Sequence, residues 1–233
     1  MLLGSYRLLI DDPAGFLHLA ALVTFSLVVA ITVHEFSHAL VANGLGDSTA
    51  KRLGRVSLNP LRHLDPGGAV MMLVAGFGWG KPVPVDPHPL AHGKTGNTLV
   101  AAAGPLSNLV LAFLLALPIK LGLLGSTDPA LNQITHVMTG GLREGLADIL
   151  GLVIFFNLLL AVFNLIPLAP LDGSQVLAGL IPADRAAAYA RFQRQGPVLL
   201  VMLVMFDYAL GMGVLWGIIG PVVRGLTTIA IGS

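Results

Sequence analysis

Along this chain the hydrophobic positions do not alternate with polar ones; they continue in long runs. Phe16 to Val33 carries no formal charge, and after His34 the run resumes to about Ala42. Leu99 to Ile119 and Ile149 to Leu171 repeat the pattern, and a fourth run opens at Pro197. A helix needs roughly 20 apolar residues to cross a bilayer. The pattern therefore predicts spans at about 16–42, 97–122, 148–168 and 197–223. Pro197 to Ile231 as one helix would be about 50 Å long, too long for a bilayer, and Gly211 and Gly213 offer a break into two. Gly67 to Gly80 is apolar but short, the length of a re-entrant or interfacial piece. It leads into Gly78-Trp79-Gly80-Lys81-Pro82-Val83-Pro84-Val85, where the prolines favour extended backbone. The expected fold is all-α: a polytopic membrane helix bundle with one short re-entrant or extended loop segment, a single domain over residues 1–233.

Composition agrees. Charged residues make up 11% of the chain, against about 25% in ordinary globular proteins. The apolar set reaches 55% and the mean hydropathy is +0.83. Such a chain cannot cover its surface with polar groups, and it lacks the charge that disorder requires. Its expected surroundings are the lipid bilayer. A net charge of +1 with no dense basic patch gives no case for a nucleic-acid partner. Lys51, Arg52, Arg55, Arg62, Lys81 and Lys94 crowd the first connection, and Arg185, Arg191 and Arg194 follow the third span, whereas only Lys120 and Arg143 lie between the second and third. By the positive-inside rule the first and third connections are cytoplasmic and the middle one external. The N-terminus carries Arg7, Asp11, Asp12 and Pro13 in place of a signal-peptide cleavage site, so the first span is expected to be retained.

The first span contains His34-Glu35-Phe36-Ser37-His38. Positions i and i+4 share a helix face, so both imidazoles can reach one cation, and the glutamate between them suits a general base. A carboxylate inside a spanning segment is expensive and usually functional; the bland reading is a wetted helix end. Cysteine is absent, so a third metal ligand must be His, Asp or Glu. The best candidate is Asp172, in Asn164-Leu165-Ile166-Pro167-Leu168-Ala169-Pro170-Leu171-Asp172-Gly173. The prolines break the helix, Gly173 permits an unusual turn, and the break aims Asp172 back into the bundle. The bland reading here is a loop aspartate after a helix. His34 lies about 15 Å from the cytoplasmic end of its helix, and the charge distribution places Asp172 at the same leaflet.

These residues resemble the site-2 protease family of intramembrane zinc metalloproteases. The likeness rests on His34-Glu35-Phe36-Ser37-His38 and on Asn164 to Gly173. Gly104-Pro105-Leu106-Ser107-Asn108, the stretch Arg55 to Gly68 and Lys81-Pro82-Val83-Pro84-Val85 also fit its short, single-domain prokaryotic branch. It runs from about Phe16 to Leu180, without the PDZ or CBS modules of other branches. The resemblance implies one zinc ion per chain held by His34, His38 and Asp172, with Glu35 as catalytic base. The implied substrate is a single-span membrane protein, cut in or near its membrane segment at the cytoplasmic leaflet of a prokaryotic plasma membrane.

Asn108 has two readings of equal weight, a donor to the developing oxyanion or a helix–helix hydrogen bond. Asn164 belongs with the residues near the substrate, although satisfying backbone freed by Pro167 is its favoured role. Val83 and Val85 are expected to present an edge to the unwound substrate by strand addition; the plain alternative is an interfacial turn anchored by Trp79. Asp207 is an unexplained intramembrane charge, with Asn157 and Tyr208 as candidate partners. Two other functions compete: a metal-ion transporter, disfavoured by the lack of repeated halves, and a catalytically silent scaffold, which would need no Glu35.

Overall fold

The structure, a computed structural model, describes residues 6–75, 80–84, 86, 90–91, 93–125, 141–211 and 213–232. A short helix α1 (Tyr6–Asp11) runs into α2 (Pro13–Gly44). The junction follows from its residues. Asp12 accepts the Gly15 N–H at 3.0 Å, and Pro13 takes the first helical position, where a missing N–H is tolerated. Then come α3 (Thr49–Arg52), a 3₁₀ turn at Pro60–Arg62 and α4 (Pro66–Ala75). The remaining helices are α5 (Lys94–Lys120), α6 (Leu142–Asn164), α7 (Asp172–Leu180), α8 (Ala183–Leu210) and α9 (Val214–Ile231). Of these, α2, α5, α6 and α9 are long and apolar enough to cross a membrane.

Helix α5 shows how such a bundle packs. Leu106, Val110, Leu114 and Leu117 recur on one face and are about half exposed, as a lipid-facing stripe should be. The opposite face carries Ala101, Gly104, Asn108, Ala112 and Ala116, all buried. Both faces are largely apolar, so side-chain size separates them: small residues let the neighbouring backbones approach closely. Ala112 and Ala116 meet Ile154 and Leu158 of α6 and Ile219 and Val223 of α9. On the other side of α6, Leu152 and Phe156 pack against Leu19, Val23 and Leu27 of α2.

Several expected boundaries are corrected. The third span runs Leu142–Asn164, not 148–168. Its helix stops before Pro167, and Phe163 O, the carbonyl that a proline at 167 would leave unpaired, takes the Ile166 N–H at 3.1 Å. The expected fourth span, 197–223, is not one element. Helix α8 starts at Ala183 in a polar stretch and ends at Gly211 (φ 60°), and Gly213 (φ 62°) precedes α9. Two consecutive caps in the left-handed region make the break, a conformation that glycine adopts without strain. Asp207 accepts the Val214 N–H at this break and Leu215 N–H at 3.4 Å, so it caps α9. Asn157 is therefore not its partner, and the Tyr208 side chain lies outside what is described. From there α9 passes Phe155, ring to ring with Trp216 at 6.3 Å, and ends where Lys120 Nζ donates to Ile229 O at 3.1 Å.

The short apolar segment is helical as α4, opened by Asp65 Oδ1, which accepts the Gly68 N–H at 2.8 Å. Asp65 is thus a turn former. Beyond α4, Gly80 makes an isolated antiparallel bridge with Leu64, and residues 81–84 are not helical. Trp79 and Val85 lie outside the described residues, as do His88, His92 and His136.

Candidate metal centre

Helix α2 carries His34 and His38 one turn apart, and both rings face α5 and the start of α7. His34 Nε2 lies 3.0 Å from Asp172 Oδ2, and His38 Nε2 lies 3.3 Å from the same oxygen. The three donor atoms fall within 4.8 Å of one another, and both histidines are buried.

Asp172 reaches this point because the chain doubles back after α6. Residues 165–171 form tight turns, with Leu171 N–H donating to Leu168 O at 3.0 Å, and α7 begins at Asp172 itself. Gly173 does not supply the unusual dihedral expected of it, since it is absent from the positive-φ glycines. Its role is proximity: a Cβ there would stand 2.3 Å from Leu165 O. The new helix can therefore lie directly against the end of α6. Tyr189 Oη and Gln193 Nε2 of α8 both donate to Ser174 O, at 2.9 and 3.0 Å, and tie α8 to α7.

The protonation pattern of the cluster follows from backbone carbonyls, which can only accept. His38 Nδ1 lies 2.7 Å from Val100 O and must donate to it. Asn157 Nδ2 donates to Val153 O at 2.8 Å, which turns its Oδ1 towards Asn108. Asn108 Nδ2 donates to that Oδ1 at 2.8 Å and to Ala30 O at 2.9 Å. Asn108 Oδ1 then accepts from His34 Nδ1 at 2.7 Å. Both Nδ1 atoms are donors, so in the neutral imidazoles both Nε2 atoms present lone pairs. They meet Asp172 Oδ2, a buried oxygen with no hydrogen bond of its own. Two imidazole lone pairs and a carboxylate thus converge on one point, which needs a cation. This donor set, oriented by bonds to the far ring nitrogens, fits a divalent transition metal such as zinc.

The cluster opens on a cavity of about 520 Å³ whose lining includes Glu35, Gly80, Val83, Asn164 and Leu200. A Cβ at Gly80 would lie 3.2 Å from Glu35 Oε1, so the chain at Gly80 passes directly over the glutamate. Asn164 does not satisfy backbone freed by Pro167; its Nδ2 donates to Leu160 O at 3.0 Å, and the residue borders the cavity. Asn108 is fully buried behind His34 with both amide N–H groups committed. That geometry is the helix–helix alternative and leaves no N–H for an oxyanion. His63 is buried elsewhere, its Nε2 2.6 Å from Ser57 O.

The sequence profile of peptidase family M50 matches residues 22–206. The chain belongs to peptidase family M50. "Putative zinc metalloprotease YwhC" of Bacillus subtilis (strain 168) is 39% identical over 200 residues, covering 86% of this chain and 86% of that protein. Rip2 of Mycolicibacterium smegmatis, named in the same words, is 30% identical over 199 residues, 83% of this chain and 70% of its own length. Rip2 of Mycobacterium tuberculosis (strain H37Rv) is 28% identical over 198 residues, with the same coverage of both chains. No solved structure matches the chain.

One residue of this M50 peptidase has a role that the sequence reading missed. A Cβ at Gly104 would stand 2.4 Å from His38 Nε2 and 2.7 Å from His34 Nε2. The glycine of Gly104-Pro105-Leu106-Ser107-Asn108 therefore makes room for the cluster itself. Asn157, a candidate partner for Asp207 on sequence alone, instead accepts from Asn108, a neighbour that appears only once α5 and α6 pack.

Proposed function

We propose that this M50 peptidase is a zinc endopeptidase that hydrolyses peptide bonds in or near the membrane-spanning segments of single-span membrane proteins. The observation that carries the reading is the convergence of His34 Nε2, His38 Nε2 and Asp172 Oδ2 beside Glu35, in a cavity walled by membrane-length helices. The word zinc in the names of its relatives supports the choice of metal. His34, His38 and Asp172 hold one ion per chain. When bound, it supplies Lewis-acid polarisation of the scissile carbonyl and activates water.

The remaining steps belong to the chain's own residues. The Glu35 carboxylate takes the proton of the attacking water and passes it to the departing amine as the C–N bond breaks, which returns Glu35 to its starting state. Asn108 keeps the His34 ring in the tautomer that leaves Nε2 available. Val83 and Asn164 border the cavity where an unwound substrate backbone would lie. The site faces the cytoplasmic leaflet of a prokaryotic plasma membrane, a reading that rests on the Lys and Arg distribution. A reporter fused near Asp128 is expected to be external, and a cytoplasmic signal there would reverse the orientation.

The test of the chemistry is cleavage of a fluorophore–quencher peptide with one membrane segment by detergent-purified protein. Glu35→Gln should lower the rate by about 10²–10⁴-fold with zinc retained. Wild-type turnover in Glu35→Gln would remove Glu35 as the base.

A further inference from the structure

The stretch Arg55 to Leu64 contributes nothing to the metal cluster, yet it holds two of the chain's buried polar side chains. Arg55 is 5% exposed and His63 is fully buried. The Arg55 charge meets carbonyl oxygens: Nη1 donates to Arg62 O, and Nη2 donates to Lys81 O and, at 3.0 Å, to Pro82 O. The Arg62 side chain answers from the other side, with Nη1 donating to Gly54 O at 3.1 Å. Gly54 has φ +69°, a conformation that favours glycine, and the Arg62 guanidinium lies directly against its Cα. His63 Nε2 donates to Ser57 O at 2.6 Å and closes the loop from within. These bonds fold residues 54–64 into a platform.

The segment after α4 is pinned to that platform along one edge. Lys81 N–H donates to His63 O at 2.8 Å, Leu64 pairs with Gly80, and Arg55 takes the next two carbonyls. Gly80, Pro82 and Val83 line the cavity, with Gly80 against Glu35. Pro82 and Pro84 have no N–H, so Val83 carries the only backbone donor among these three residues. Among the described residues nothing in the protein accepts from it.

We infer that Arg55 is a positioning residue for the peptide substrate: it fixes the Gly80–Pro84 segment so that the Val83 N–H and C=O face the cavity beside Glu35. The inference rests on the peptidase reading above and adds the device that sets the substrate-facing backbone. Only a guanidinium serves, because its planar fork spans three carbonyls and a lysine ammonium does not.

The test compares wild type, Arg55→Lys, Val83→Pro and, as a control, Arg52→Lys at an exposed neighbour. The probe is the same single-segment peptide, with zinc per chain and amide hydrogen exchange read in parallel. Arg55→Lys should keep its zinc, raise KM by about tenfold with little change in kcat, and speed exchange at the Lys81 amide. Val83→Pro leaves the Arg55 contacts in place and should raise KM similarly while sparing Lys81 protection. Arg52→Lys should match wild type. Wild-type KM and Lys81 protection in Arg55→Lys would overturn the inference, as would loss of zinc along with activity, which would move Arg55 to the metal centre or the general fold. Unchanged KM in Val83→Pro would also overturn it. A wild type without zinc or cleavage would instead defeat the peptidase reading, and Lys81 exchange would still decide what Arg55 holds.

Discussion

The metal cluster and the Gly80–Pro84 segment nearly touch at Glu35, yet they are held in place by different means. Each metal-facing side chain comes from a helix, and each histidine ring is turned by a bond from its far nitrogen to α5, at 2.7 Å in both cases. Moving that cluster means moving α2 against α5. The segment over it has one bridge to Leu64, one backbone bond to His63 and the fork of Arg55. Packing therefore sets the chemistry, whereas a few hydrogen bonds to a loop set the face offered to substrate. Substitutions should sort accordingly, into those that disturb the metal and those that disturb only peptide binding.

The most severe break of that division is Gly104→Ala. The added methyl would stand 2.4 Å from His38 Nε2, and the crowding atoms belong to rings already fixed on their far side. Zinc affinity should fall by at least about 100-fold, and cleavage with it, as read by metal titration. Zinc binding equal to wild type would mean that α5 yields easily and that packing does not set the cluster.

A smaller effect sharpens the role of Asn108. Asn108→Leu leaves His34 Nδ1–H without its acceptor, and zinc affinity should fall about 10–100-fold, the range of an outer-shell partner. At saturating zinc the rate should recover. If Asn108 donated to the oxyanion, kcat would instead stay depressed by about 10²–10³-fold at any zinc concentration. The Arg55→Lys change comes next in size, visible in KM and in Lys81 exchange while zinc holds.

What could be read from residues alone follows the same division. His34, Glu35 and His38 were legible because the helix period places i and i+4 together, and Asp172 because Pro167 and Pro170 must break a helix there. The spans were legible as lengths of apolar chain, but not their ends. Ala183 to Gln195 is too polar to extend a membrane span, yet it is helical and continuous with the apolar half of α8. Gly104 reads as one more small residue of a membrane helix until the imidazoles are seen against it. Arg55 reads as a cytoplasmic topology signal, because nothing local tells a buried cation from a solvated one. Its partners, Lys81 and Pro82, lie 26 and 27 residues away, beyond any spacing rule.

The most direct measurement is zinc per chain in purified, folded wild type, His34→Ala, Asp172→Ala and Glu35→Gln. Wild type and Glu35→Gln should hold close to one ion each, and the two ligand variants should lose it. No zinc in folded wild type after metal is offered, or full zinc in Asp172→Ala, would contradict the three-residue metal centre.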